Sequence, residues 1–200
     1  MQYLKEETKN KIISEALKEF KVKGYNKASV RVIAKNSQTS VGNIYKYFES
    51  KEDLYKTLIG DVYNKIIEYI TALENVKLDE KAEYIFAGLL EKIMKVFETK
   101  STELAILFNG SEGTIYESCK IFFTEWVTGT VTKKINHDLS FKCKKLKDNF
   151  IIYLLACNLV ESIAIILNEK EDGKEVKRFI NNIIEILFCN IEDKLDIEDL

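Results

Sequence analysis

Residues 29–51 read SVRVIAKNSQTSVGNIYKYFESK, and this stretch decides the fold. Val30, Ile33 and Ala34 recur at helical spacing. The polar run Ser37-Gln38-Thr39 then interrupts, and Ile44 and Phe48 resume the apolar period. Two short helices joined by a brief turn have the form of a helix-turn-helix, whose second helix enters the major groove of DNA. With the apolar set turned inward, Val41, Gly42, Asn43 and Lys46 are left to face outward.

Working outward, residues 4–23 carry Ile12, Ile13, Ala16, Leu17 and Phe20 on one stripe, which predicts an amphipathic helix. Gly24 closes it where a left-handed residue is needed, and Tyr25 supplies the apolar contact after the cap. Ser29 opens the next helix and Ser40 the one after, running to about residue 46. Ser50 and Asp53 form a capping box ahead of a long helix through Leu54, Leu58, Val62 and Ile66. Further helices are expected over 79–98, capped by Asp79 with Ile85, Leu89, Ile93 and Val96 inward, over 101–108, capped by Ser101, and over 114–134. Two regular stripes complete the chain, Leu146, Phe150, Tyr153, Cys157, Val160, Ala164 and Leu167, then Val176, Ile180, Ile183, Leu187 and Ile191.

Proline is absent from the 200 residues and glycine numbers eight, which starves a sheet of turns and favours long helices. With 46% apolar residues the chain can form a packed core. Charge is unevenly spread: the first 56 residues hold 12 basic against 7 acidic side chains, the remainder 18 against 25. A basic head on an acidic body suits a protein that points one end at nucleic acid. The four cysteines are scattered without a C-x-x-C, and the single histidine, His137, has no metal-binding company. No metal and no cofactor are therefore expected. No signal peptide is evident, and no apolar run approaches the roughly 20 residues of a membrane span. The expectation is a cytoplasmic protein with no membrane partner.

Residues 10–60 resemble the tetracycline-repressor-like (TetR) family of bacterial regulators. The resemblance rests on Ala16, Phe20, Gly24-Tyr25, Ser29-Val30, Ile33-Ala34, Ser40, Gly42, Ile44-Tyr45, Tyr47-Phe48, Lys51-Glu52 and Leu54. It implies an all-α fold: a three-helix DNA-binding head over 1–50 and a larger helical ligand-binding and dimerisation body over 51–200. It also implies a transcriptional repressor that binds a palindromic double-stranded operator as a homodimer and answers to a small effector. Gln38 stands where the family usually has glycine, which implies a positive φ there or a different turn. Val41 replaces a commonly polar residue.

Chemistry and resemblance together assign roles in the head. Ser29 caps a helix and offers a hydroxyl to phosphate, and Ser40 opens the recognition helix. Tyr45, Lys46 and Lys51 resemble the family's phosphate clamp, with Tyr47 a fourth member or a core aromatic. Arg31 can fork to guanine, or serve as an ion-pair partner within the fold. Asn43 can pair with adenine, Val41 can touch a thymine methyl, and Gly42 permits close backbone approach. Candidates to line an effector pocket are Phe86, Leu90, Phe108, Phe122, Phe123 and Trp126, a set without charge that favours an apolar or amphipathic ligand. The two last stripes, near 146–167 and 176–191, are the expected dimer helices. An enzyme is disfavoured, since no phosphate-cradling loop or nucleophile elbow is present. The remaining alternative is a helix-turn-helix protein without a small effector, acting in chromosome organisation or through a protein partner.

Overall fold

The computed structural model describes residues 2–76 and 82–199, and its fold is all-α. Among the described residues the order is α1 (Gln2–Lys27), α2 (Val30–Asn36), α3 (Val41–Ile44), α4 (Lys51–Glu74), α5 (Ala82–Thr99), α6 (Ser101–Asn109), α7 (Cys119–Ser140), β1 (Lys144–Leu146), α8 (Phe150–Glu169), α9 (Gly173–Phe188), a 3₁₀ turn (Ile191–Lys194) and β2 (Ile197–Asp199).

The head forms as the apolar spacing dictates. Ile12, Ala16 and Phe20 of α1 are fully buried against Ile33, Ala34, Ile44 and Phe48. Gly24 breaks α1 with φ 67 and ψ 171, a region that only glycine enters readily. Gln38 does take a positive φ, 56°. The recognition helix α3 is a single turn, shorter than expected, because residues 45–47 leave the helix as turns. Ser40 caps it, its Oγ accepting from Asn43 N at 3.1 Å. At α4 the capping box is real but shifted by one residue. Ser50 Oγ accepts from Asp53 N at 3.0 Å, while the Asp53 carboxylate takes the N–H of Glu49, at 2.9 Å, rather than that of Ser50.

The long helix α4 runs as a spine, burying Leu54, Tyr55, Leu58, Ile59, Val62, Ile66, Ile70 and Leu73 against neighbours from both ends of the chain. One hydrophobic core extends from α1 to α9. Asp172 caps α9 by accepting from Lys174 N at 3.1 Å. Gly173 lets that helix start touch α5, since a Cβ there would overlap the Glu98 carbonyl. A second, smaller cluster gathers Ile135, Leu139, Ile152 and Ile191. Beside it β1 and β2 pair antiparallel, Lys145 opposite Glu198, tying the chain end to the α7–α8 loop. The ion pairs Lys142–Glu192, Lys145–Glu198 and Lys147–Asp196 reinforce this strap.

Several sequence expectations are corrected. Ser101 is the first residue of α6 and does not cap it. The helix expected from residue 114 begins at Cys119, after a run of turns held by Thr114 Oγ1 donating to Ser111 O at 2.7 Å. Ile85 is exposed, and the inner face of α5 is carried by Ile93, Met94, Val96 and Phe97. Leu146 belongs to β1, and Ile191 lies past the end of α9. The expected cap Asp79 lies outside the described residues. The membrane reading also changes. α8 is long and apolar enough, by length and composition, to cross a membrane, because Glu161 is the one charge between residues 150 and 168. In this fold its Ile152, Ala156, Leu159, Val160, Ile163 and Leu167 are buried in the helical core.

Candidate nucleic-acid interface and ligand cavity

The outer surface of α2 and α3 is cationic and open. Arg31 and Lys35 lie one turn apart on α2, and Lys46 follows α3. All three are exposed, and among the described residues none has an ion pair or side-chain hydrogen bond. Lys35 is not among the residues the motif marks, although its spacing from Arg31 places it on the shared face. Arg31 has no glutamate partner, so its guanidinium keeps its full set of donors for an incoming acceptor. Gly42 and Ser40 are exposed beside them, and Tyr45 is half-exposed at 47%.

Other sequence candidates are placed differently. Val41 and Tyr47 pack against the core, and the Tyr47 ring tilts onto Phe48 with centroids 6.5 Å apart. Asn43 is half-buried, its Nδ2 donating to Thr39 Oγ1 at 2.8 Å, so Thr39 sets its orientation. Ser29 occupies the N-cap position of α2 without a side-chain cap. Its backbone N–H instead donates to Glu19 Oε1 at 3.0 Å.

Lys51 is half-buried and bonded to neighbours in the head. Its Nζ donates to Ala28 O at 3.0 Å and Asn26 O at 3.4 Å and lies 4.5 Å from the Tyr25 ring centroid. An ammonium is favourable at carbonyls closing a helix and over an aromatic face. Burial pushes its pKa below the ordinary lysine value.

A junction connects this head to α6. Tyr25 N donates to Gly110 O at 2.8 Å, and the backbones of Gly24 and Gly110 are in contact. Tyr55 and Ser111 hydroxyls meet at 2.9 Å, and Ser111 Oγ also lies 2.7 Å from Leu107 O. Burial raises the Tyr55 phenol to about 12, partly opposed by that hydrogen bond. The rings of Phe20, Tyr25 and Tyr55 pack with centroids 5.0 and 5.1 Å from Tyr55.

Beyond the junction the body holds a half-open cavity of about 670 Å³ between α4, α5, α6, α7, α8 and α9. Phe86, Leu90, Phe108, Phe123 and Trp126 line it, and Phe108 and Phe123 stack with centroids 5.2 Å apart. Lys134, Asp138, Glu192 and Asp193 also line it, the last two from the 3₁₀ turn. A smaller cavity of about 390 Å³ is lined by Phe122 together with Phe86 and Trp126. The aromatics expected to line a pocket are thus brought together around two cavities that share Trp126. Thr130 and Lys134 line both as well, and an aromatic search could not find them.

Comparison with known proteins agrees with the head. Residues 12–58 match the family described as bacterial regulatory proteins, tetR family. The chain is 44% identical over 66 residues, 33% of its length, to the uncharacterised HTH-type transcriptional regulator YuxN of Bacillus subtilis. It is 35% identical over 85 residues, 41% of its length, to the probable HTH-type transcriptional regulator YttP of the same organism. The matches span 22% and 40% of those relatives' own lengths. In fold, the chain resembles a TetR-like transcriptional regulator from Rhodococcus sp. RHA1, with a TM-score of 0.60 at 15% identity, over 92% of this chain and 96% of that one.

Proposed function

The chain belongs to the tetR family of bacterial regulatory proteins, and on that premise we propose that it is a ligand-responsive transcriptional repressor. It binds a palindromic operator as a homodimer and works in the cytoplasm. The head over 1–50 contacts DNA, and the body over 51–200 holds the ligand and the dimer contact. Family members regulate transcription rather than catalyse reactions.

The observation that carries this reading is the two-sided character of residues 29–48. Ile33, Ala34, Ile44 and Phe48 are buried, while Arg31, Lys35 and Lys46 stand exposed without partners. Unpaired cations on one face are what a polyanionic duplex neutralises. Arg31 is the base reader, able to reach guanine O6 and N7. Lys46, Lys35, Tyr45, Ser29 and Ser40 hold phosphates and Gly42 lets the backbone approach. Asn43 reads a base from the position Thr39 gives it. Val41, Tyr47 and Lys51 support the reading surface from beneath.

Ligand response is favoured over a regulator without an effector by the cavity. An apolar space of about 670 Å³ falls within the usual range of small-molecule sites. Occupancy would reach the head through α6, which carries Phe108 on the cavity wall and ends at the Gly110 junction. A ligand releases DNA by favouring a head spacing that misses successive major grooves, about 34–36 Å apart.

Selection of genomic fragments by the purified protein, followed by anisotropy titration, tests the reading. One palindromic site should bind about a thousandfold more tightly than unrelated DNA. Equal binding of all fragments would refute it.

A further inference from the structure

Among the described residues two buried side-chain polar atoms have no hydrogen-bond partner, Trp126 Nε1 and Thr132 Oγ1. Of these residues, Trp126 alone lines a cavity, and it lines both. A buried N–H without an acceptor is costly, and a bound molecule that supplies one recovers the loss. Trp126, Thr130 and Lys134 follow one another at four-residue steps on α7 and so share one face. All three line both cavities. Lys134 has no ion pair or side-chain hydrogen bond among the described residues. The row presents an indole donor, a hydroxyl and an unpaired ammonium, ordered from interior to rim.

We propose that this row is a head-group subsite, and that the cavity takes an amphiphile with an apolar body and a single carboxylate head. The proposal rests on the ligand-responsive reading above and adds the chemistry of the ligand. The carboxylate accepts from Trp126 Nε1 and pairs with Lys134, and the apolar body lies along Leu90, Ile93, Phe97, Leu159 and Ile163. A cationic head would bring no acceptor to the indole, although Asp138, Glu192 and Asp193 line the same cavity as Lys134. A wholly apolar ligand would leave the indole N–H unpaired.

Among the neighbouring charges, Asp193 of the larger cavity is exposed to solvent. Glu74 and Glu125 of the smaller cavity are exposed to solvent. Lys133 donates to the Glu74 carbonyl at 3.2 Å, and Asp138 lies 3.4 Å from His137 Nδ1. Glu192 of the larger cavity is paired with Lys142 at 2.9 Å.

Calorimetric titration of the full chain with dodecanoate, dodecanol and dodecylamine tests the proposal, because the three differ only at the head. Dodecanoate should bind about tenfold or more tightly than dodecylamine, the scale of a charge-assisted hydrogen bond. Lys134→Met, at an exposed position, should erase most of that preference. Trp126→Phe should weaken dodecanoate more than dodecanol. Equal affinity for the acid and the amine, or a preference that survives Lys134→Met, would overturn the subsite. Operator retention measured in the same samples separates the two readings. Head-selective binding without release of DNA supports the subsite and sinks the ligand-response reading. Operator binding without any preference among the dodecyl compounds does the reverse for the subsite.

Discussion

The amide of Tyr25 donates to the carbonyl of Gly110 at 2.8 Å, joining the last turn of the first helix to the end of α6. This bond carries the mechanical argument, because Tyr25 stands in the DNA-facing head while α6 walls the cavity through Phe108. The approach depends on two glycines. A Cβ on Gly110 would lie 3.1 Å from Ile106 O and 3.2 Å from Gly24 Cα. Gly24 itself sits at φ 67, ψ 171.

Gly24→Ala should therefore cost about 1–3 kcal/mol of stability, the penalty of holding a side-chain residue in that region. Gly110→Ala should cost less in urea unfolding but weaken coupling, since the backbones must separate by a few tenths of an ångström. Ligand-induced release of DNA, compared between Gly110→Ala and the parent chain, checks this. Undiminished release would mean that the junction does not transmit.

Lys46 and Lys51 should separate cleanly. Lys46→Ala removes a free surface cation, so it should lower the salt slope of DNA binding by about one and leave unfolding within about 0.5 kcal/mol. Lys51→Ala removes the bonds to Ala28 and Asn26 carbonyls and the contact with Tyr25. It should cost about 1 kcal/mol in urea unfolding. Equal effects of the two variants on stability would contradict the assignment.

The head was legible in the sequence because its signals are local. Gly24 and the Ser50–Asp53 box each follow from neighbours within a few residues, while the positive φ at Gln38 follows from the resemblance, which left a different turn open. The resemblance assigns Lys51 to a phosphate contact, while its bonds to carbonyls 23 and 25 residues away lie beyond any spacing rule. The body was less legible for the same reason. Periodicity finds that α8 is apolar, but both its buried Ile152 and its exposed Phe150 satisfy a stripe, and only packing tells them apart. The strap of β1 and β2 pairs residues more than 50 apart, and its lysine-rich strand lacks the apolar alternation that marks a strand.

Alkaline pH should unfold the chain through two buried acids. Burial raises Cys119 to about 11 and Tyr55 to about 12 from ordinary values of 9.0 and 10.0. The unfolded chain then loses these protons before the folded chain does. Stabilisation is complete below pH 9 and drains as pH rises towards 12. Tyr55→Phe should flatten the upper part of this decline, at the expense of the Ser111 hydrogen bond at neutral pH. Urea midpoints between pH 8 and 11.5 measure both effects, and an unchanged slope in the variant would refute the assignment.

The dimer should form through α8 and α9. Phe150, Ile151, Tyr153, Leu154, Ile165 and Ile186 are exposed on these helices, and exposed apolar side chains gathered in a patch mark interaction surfaces. A two-fold four-helix contact covers it and supplies the symmetry a palindrome needs. Sedimentation should show a dimer at micromolar concentration. Leu154→Glu should shift it to monomer and reduce operator affinity, whereas a persistent dimer would place the contact elsewhere.

The central claim is that the cavity governs the head, and one titration tests it most directly. Trp126 is the sole tryptophan and borders both cavities, so its fluorescence reports occupancy. Dodecanoate added to the operator complex should change Trp126 emission and release the DNA along one curve, with one midpoint. Saturation of the fluorescence signal while operator affinity stays constant would contradict the account.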